Sequence, residues 1–231
     1  MKSSLCLALD TTDARRALDL VESTRAYVGT YKIGATTFAA LGPGFVSEVS
    51  SRAPVFVDLK LHDIPAQVAG AVEAVAGLGA TYLTVHASGG RRMIDAAVAA
   101  APEELKILAV TVLTSLDDHS LADIGIAGSA QATALRLGEL AVAGGASGLV
   151  CSSLEVSALR ARFGPSDAAG PLLVVPGVRL PGADRQDQMR ARSPAEAMAA
   201  SADMLVVGRP ITSATDPAAA ARAILEGLMT P

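Results

Sequence analysis

The sequence predicts an α/β fold, a (β/α)8 TIM barrel built as a single domain over residues 1–231. Three observations carry that reading. Short apolar or β-branched runs alternate with helix-like stretches through eight units, the pattern of a parallel sheet with crossover helices. No break in composition divides the chain, and eight units in this length fit a closed barrel better than an open doubly wound sheet. The polar residues Asp10, Lys32, Asp58, Lys60, His86, Thr114 and Arg209 fall where the runs end, and barrels of this kind carry their chemistry at the C-terminal ends of strands.

Each unit follows from local chemistry. Leu5–Leu9 is an apolar run ending at Asp10, and a helix is expected from about Asp13 to Val28. Thr30–Gly34 reads as the second strand, with a helix to about Ser50. Val55-Phe56-Val57 opens the third strand, because β-branched and aromatic residues suit a pleated surface; Pro65 ends it, and Ala66 to Gly77 is helical. Thr81–His86 is the fourth strand, and Gly89-Gly90 precedes a helix to about Ala100. Leu105–Leu113 is the fifth, followed by a glycine-containing connection and a helix between about Ser129 and Gly144. Gly148–Cys151 is the sixth, with a helix to about Phe163. Leu172–Val175 is the seventh, ending in Pro176-Gly177 and a polar loop over Leu180 to Ser193. Met204–Val207 is the eighth, and Asp216 begins a last helix.

Composition narrows the function classes. Hydrophobic residues make up 51% and charged residues 18% of the 231, so a large core can form, while aromatics at 3% leave that core to Ala, Val and Leu. A formal charge of −4 supplies no general attraction for nucleic acid or an anionic membrane. Cys6 and Cys151 each lie in an apolar run without a C-x-x-C pattern, and read as buried thiols in a reducing, cytoplasmic setting. Met1-Lys2-Ser3-Ser4 runs straight into a strand-like segment, so no signal peptide is expected. The most apolar window, Val68 to Val85, holds Glu73 and glycine and threonine interruptions, and reads as a buried helix followed by a strand.

The third strand carries the densest chemistry. Alternate side chains of a strand share a face, which puts Phe56, Asp58 and Lys60 on one side and Val55, Val57 and Leu59 on the other. Alternate residues stand about 6.6 Å apart, close enough for a carboxylate and a flexible ammonium to interact. Asp63 follows where strand gives way to loop. A buried strand that ends in three charges needs a use for them. Downstream, the segments after strands seven and eight are where such barrels often hold a phosphate. At Gly208-Arg209-Pro210, a glycine admits close backbone approach and a guanidinium can grip two phosphate oxygens. Of the histidines, His62 reads as a packing or surface residue and His86 as a hydrogen-bonding residue of the barrel mouth. With His119 they form no three-ligand metal cluster.

Asp58-Leu59-Lys60-Leu61-His62-Asp63-Ile64-Pro65 resembles the signature of the orotidine 5′-phosphate decarboxylase family, in its bacterial type. The resemblance extends through Leu9-Asp10, Tyr31-Lys32-Ile33-Gly34, Val85-His86-Ala87-Ser88-Gly89-Gly90, Thr111-Val112-Leu113-Thr114-Ser115, Pro176-Gly177-Val178-Arg179 and Val207-Gly208-Arg209-Pro210. It implies cofactor-free conversion of orotidine 5′-monophosphate to UMP and CO2, the last step of de novo pyrimidine synthesis. It also implies a cytoplasmic homodimer with active sites at the subunit interface. By the same resemblance Lys32, Asp58, Lys60 and Asp63 form an alternating charge network. Lys60 would be the proton donor to C6, and Asp63 would be donated to the neighbouring site. Asp10 and Lys32 resemble the residues that hold the ribose hydroxyls, Thr114 and Ser115 those beside the pyrimidine, and Gln188 the bridge between base and phosphate. Arg209 and the Gly208 backbone match the phosphate grip, and Ile64 and Arg179 complete the substrate contacts. Phosphate binding would drive closure of the 179–192 loop.

One position departs. Where the family usually has Ile-Pro-x-Thr, this chain has Ile64-Pro65-Ala66-Gln67, which predicts a weaker or rearranged ribose contact rather than loss of activity. Two rival readings compete. A Mg²⁺-dependent sugar-phosphate decarboxylase of the same superfamily shares Asp-x-Lys-x-x-Asp, but Ile64-Pro65 and Thr114-Ser115 argue against it. A barrel that merely binds a nucleotide would be free to lose the charged tetrad, and all four members are present.

Overall fold

A computed structural model describes residues 4–177 and 194–229. Eight parallel strands close into a barrel in sequence order, with the first hydrogen-bonded to the eighth. The elements run β1 (Leu5–Ala8), α1 (Ala14–Thr24), β2 (Thr30–Gly34), α2 (Ala35–Ser50), β3 (Val55–Leu61), α3 (Pro65–Ala76), β4 (Tyr82–His86), α4 (Arg91–Ala100) and β5 (Lys106–Val110). Then follow α5 (Asp118–Asp123), α6 (Ala130–Ala143), β6 (Gly148–Val150), α7 (Val156–Phe163), β7 (Leu172–Pro176), α8 (Pro194–Ala199), β8 (Met204–Val207), α9 (Arg209–Thr212) and α10 (Pro217–Met229).

Helix starts follow their caps. The Asp13 carboxylate accepts from Arg16 N at 3.1 Å, the Ser129 hydroxyl from Ala132 N at 3.2 Å and the Asp216 carboxylate from Ala219 N at 2.9 Å, each filling an orphan donor of a first turn. These residues therefore stand just outside α1, α6 and α10. The expected first helix overshoots, because Arg25–Val28 turns back through Tyr27 N and Val28 N, both donating to Thr24 O. α2 is broken at Gly42, whose φ of +76° precedes Pro43. The fifth strand stops at Val110 rather than Leu113; Thr111 N still donates to Val150 O, and beyond it the chain leaves the sheet. Two short helices interrupt stretches with no helical periodicity to betray them, α5 and α8. The former starts on an Asp117 cap, which accepts from Ser120 N at 2.8 Å.

Strand alternation sorts the core into two layers. Leu5, Leu7, Tyr31, Ile33, Val55, Val57, Leu83 and Val85 face outward and pack under the helices, fully buried. Cys6, Ala8, Phe56, Leu108, Val110, Val150, Val174, Met204 and Val206 fill the barrel interior, so the barrel is a packed core and not a pore. Phe56 and Tyr82 meet edge to face there, with ring centroids 6.2 Å apart. Both cysteines are buried, and among the described residues neither forms a disulfide. Among the described residues no helix is long and apolar enough to cross a membrane.

Candidate active site

Above the interior layer, at the C-terminal ends of the strands, lies a cavity of about 460 Å³. Its floor is apolar, from Ala8, Phe56, Val110, Val150 and Val206. Its walls carry Asp10, Lys32, Asp58, Lys60, Thr114, Ser115, Gly208 and Arg209. These come from the ends of β1, β2, β3 and β8 and from the segment after β5, positions far apart in sequence that barrel closure brings onto one rim. Arg209 is exposed there, at the start of a short helical turn.

The charges are arranged around Asp58. Its Oδ2 lies 2.8 Å from Lys60 Nζ and 3.6 Å from Lys32 Nζ, and Lys32 Nζ is 3.2 Å from Asp10 Oδ1. The result is a chain of alternating charge, Asp10–Lys32–Asp58–Lys60. Its two inner members are largely buried, Lys32 with 12% and Asp58 with 11% of the side chain exposed, while Lys60 keeps 36%. Burial works to raise the Asp58 pKa, but the Lys32 and Lys60 ammoniums and hydrogen bonds from Lys60 and Thr84 outweigh it and hold the carboxyl below its ordinary range. Burial likewise disfavours the Lys32 ammonium, and Asp58 and Asp10 outweigh it, so its pKa rises.

Local backbone explains the Lys60 position. Val57 pairs with Leu83 but Leu61 with Val85, so four steps along β3 face two along β4. The slack is taken up at Lys60, whose φ of +51° is left-handed, a conformation that costs a non-glycine residue of order 1–3 kcal/mol. A bulge of this kind re-aims a side chain next to a functional site. Gly34, at the end of β2, supplies the space for the Lys32–Asp10 pair. A Cβ there would come within 2.9 Å of Lys32 Nζ and 3.3 Å of Asp10 Oδ1.

The structure does not gather every sequence-predicted residue. Asp63 and Ile64 are exposed and lie outside the cavity lining; Asp63 Oδ1 accepts from Ile64 N at 2.6 Å, and Ile64 is 64% exposed. Gln67 is exposed on the first turn of α3. Arg179, Gln188 and the whole 179–192 loop lie outside the described residues. His62 is exposed, and its ring centroid is 5.3 Å from that of His86. Among the described residues His86 meets this ring in place of the hydrogen bond expected of it, and burial, with His62 and Lys60 nearby, lowers its pKa. Among the described residues no group of three His, Cys, Asp or Glu gathers as a metal site.

Two residues escaped the sequence reading. Thr84 donates to Asp58 Oδ1 at 2.9 Å, and the only signal was a polar residue at an inward position of an apolar strand. Gly34 was visible as a glycine ending a strand, but not as the gap that admits the Lys32–Asp10 pair.

Residues 3–224 match the model of the family described as Orotidine 5'-phosphate decarboxylase / HUMPS. The chain is 52% identical over 225 residues to the orotidine 5'-phosphate decarboxylase of Anaeromyxobacter sp. (strain K), covering 97% of each. It is 47% identical over 226 residues to that of Thermobifida fusca (strain YX), covering 97% of this chain and 95% of the relative. The crystal structure of orotidine 5'-phosphate decarboxylase from Lactobacillus acidophilus superposes with a TM-score of 0.84 at 33% identity, covering 98% of this chain and 99% of that one.

Proposed function

This chain belongs to the orotidine 5′-phosphate decarboxylase / HUMPS family and is a carboxy-lyase that converts orotidine 5′-monophosphate to UMP and CO2 in pyrimidine biosynthesis, and on that premise we propose that Lys60 is its proton donor. The observation that carries this reading is the Asp58–Lys60 pair, at 2.8 Å, on the wall of a cavity that Arg209 also lines.

The chemistry needs these residue types. When the C6–carboxylate bond breaks, the electron pair stays on C6 and CO2 leaves. Rate gains at the upper end of enzyme catalysis correspond to about 23 kcal/mol of transition-state stabilisation. A fixed ammonium beside C6 stabilises the developing charge and then gives up its proton to that carbon, and solvent reprotonates the amine. Asp58 fixes the ammonium, and Lys32 fixes Asp58 in turn. Asp10 and Lys32 hold the ribose hydroxyls, Thr114 and Ser115 face the pyrimidine, and Gly208 with Arg209 take the phosphate. Arg179 and Gln188, which lie outside the described residues, join base and phosphate. Phosphate binding, remote from the reacting carbon, contributes the energy that expels water from the site.

The active form is a cytoplasmic homodimer in which Asp63 and Ile64 enter the neighbouring site. Supporting this, both side chains are exposed beside the cavity and line no part of it in their own chain. The Mg²⁺-dependent alternative is disfavoured by curated relatives at 44–52% identity that carry the name orotidine 5'-phosphate decarboxylase.

The test is to mix purified protein with orotidine 5′-monophosphate and follow its absorbance, with and without EDTA. Turnover that persists in EDTA and is lost in Lys60→Ala is the expected result. No turnover by wild type, or full turnover by Lys60→Ala, refutes the assignment. Mixing inactive Lys60→Ala with inactive Asp63→Ala should restore activity through hybrid dimers that hold one intact site. No recovery from co-refolded mixtures rules out the shared site.

A further inference from the structure

Thr84 sits in β4, one strand over from the Asp58–Lys60 pair, with no exposed surface. Its hydroxyl makes two bonds at once. It donates to Asp58 Oδ1 at 2.9 Å and accepts from the Lys60 backbone N–H at 2.9 Å. One proton and two lone pairs allow both. Neither bond belongs to the sheet ladder. The four-against-two mismatch between Val57 and Leu61 takes Lys60 out of register with β4, and the threonine hydroxyl receives the N–H that would otherwise be stranded in the wall of the barrel. At the same time it occupies Oδ1 of Asp58 and leaves Oδ2 to face the ammoniums of Lys60 and Lys32, at 2.8 and 3.6 Å.

We propose that Thr84 is the positioning residue of the proton-delivery pair: one buried hydroxyl sets the rotation of the Asp58 carboxylate and holds the left-handed backbone of Lys60, so that the ammonium stands at a single place over the cavity. The inference rests on Lys60 being the proton donor. Thr84 touches no reacting atom and does not line the cavity; it acts through its two neighbours. Both neighbours are otherwise free to move. A carboxylate gripped only through Oδ2 can swing about its χ2 axis, and the left-handed residue relaxes toward ordinary strand geometry once its N–H is released.

The experiment compares Thr84→Val, which keeps the branched shape and removes the hydroxyl, with Thr84→Ser, which keeps the hydroxyl, and with Lys60→Ala. Thr84→Val leaves a buried donor and a buried acceptor unpaired, and its kcat is expected to fall about 10- to 100-fold. UMP affinity stays near wild type, since no binding group is removed. The acid limb of the kcat–pH profile moves to higher pH, because one donor to the Asp58 carboxylate is gone. Thr84→Ser recovers most of the lost rate. Thr84→Ala, which leaves a gap instead of a misfit, reads the same outcomes should the valine variant not fold. Wild-type kcat and an unmoved acid limb in the hydroxyl-free variants, with Lys60→Ala inactive, overturn the positioning role and leave the Lys60 reading intact. Full activity in Lys60→Ala removes the reading beneath it. A loss of kcat matched by equal losses of UMP affinity and urea midpoint, without rescue by serine, makes Thr84 a merely structural residue and refutes the proposal.

Discussion

Replacing Asp58 by asparagine keeps the shape of the side chain and removes one charge from between two ammoniums. At 2.8 and 3.6 Å and an effective dielectric near 20, the attractions lost are about 6 and about 5 kcal/mol. Most of that gross figure is offset in the native protein by the cost of burying the carboxylate. Removing one member of a buried pair typically costs about 3–5 kcal/mol, because the surviving charge stays buried. Here the lower end applies. Lys32 keeps Asp10 at 3.2 Å, and Lys60 is a third exposed and can turn toward water. Asp58→Asn should therefore lose about 3 kcal/mol of unfolding free energy at neutral pH. The pH dependence has a definite sign. The Asp58 carboxyl is held below its ordinary 3.8, so its contribution is fully present above that value and is lost as pH falls through the depressed native value. The gap between wild type and variant in urea titrations should thus be constant from pH 8 to about 5 and shrink below about 4. A gap under about 1 kcal/mol at pH 7, or one that widens on acidification, would refute the charge-hub account.

Further consequences follow from the same geometry. Lys60→Gly should unfold at higher urea than Lys60→Ala by about 1 kcal/mol, since glycine carries no penalty at φ +51°; equal midpoints would show that the bulge relaxes. Asp203 accepts from Leu173 N at 2.6 Å, from Ser166 Oγ at 2.5 Å and from Arg160, at the barrel end opposite the cavity. Asp203→Ala is expected to cost about 2–4 kcal/mol of stability with kcat unchanged, and a lowered kcat at full folding would contradict it. Burial pushes the Cys6 thiol up to about 12 from 9.0 and the Tyr31 phenol up to about 12 from 10.0. Both native protons are held more tightly than in the unfolded chain, so stability should fall above pH 9, by about 1.4 kcal/mol per pH unit for each group ionised only when unfolded. Urea midpoints at pH 8 and pH 11 measure it. Gln67→Thr should alter KM for orotidine 5′-monophosphate; unchanged KM and kcat would leave position 67 without a role.

The barrel was legible because its strand signals are strong and repeat. The apolar runs are short, five of the eight end in glycine, proline or a charge, and each pairs with its successor, so topology needed no long-range inference. The edges were less legible where a side chain decides them. Asp13, Ser129 and Asp216 cap helices that the sequence pattern alone extends over them, and Thr111 marks where β5 leaves the sheet. α5 and α8 are six residues each, too short to show a helical period. Within the site, Asp58 and Lys60 were readable because a charged alternation at a strand end has no structural use. Thr84 was not, because a threonine in a strand is ordinary by propensity, and its role depends on a register shift that no local pattern encodes.

That register shift ties the site to its strain. Had β3 paired regularly with β4 to its end, Lys60 would take extended φ and its N–H would join the ladder. The ammonium would then be aimed by strand geometry alone. The bulge instead decouples Lys60 from the sheet and re-anchors it to one hydroxyl and one carboxylate oxygen, the same two groups that touch each other. Asp58, Lys60 and Thr84 thus form a closed triangle in which no member can move without breaking a bond to another. Such closure is what a reaction without a cofactor requires. The stabilising charge must stand in place before the carbanion forms, since reorienting it during the step would return the barrier that fixed dipoles and charges remove. The left-handed Lys60 lowers stability, and the Arg160–Asp203 clamp at the opposite end of the barrel adds stability without approaching the chemistry.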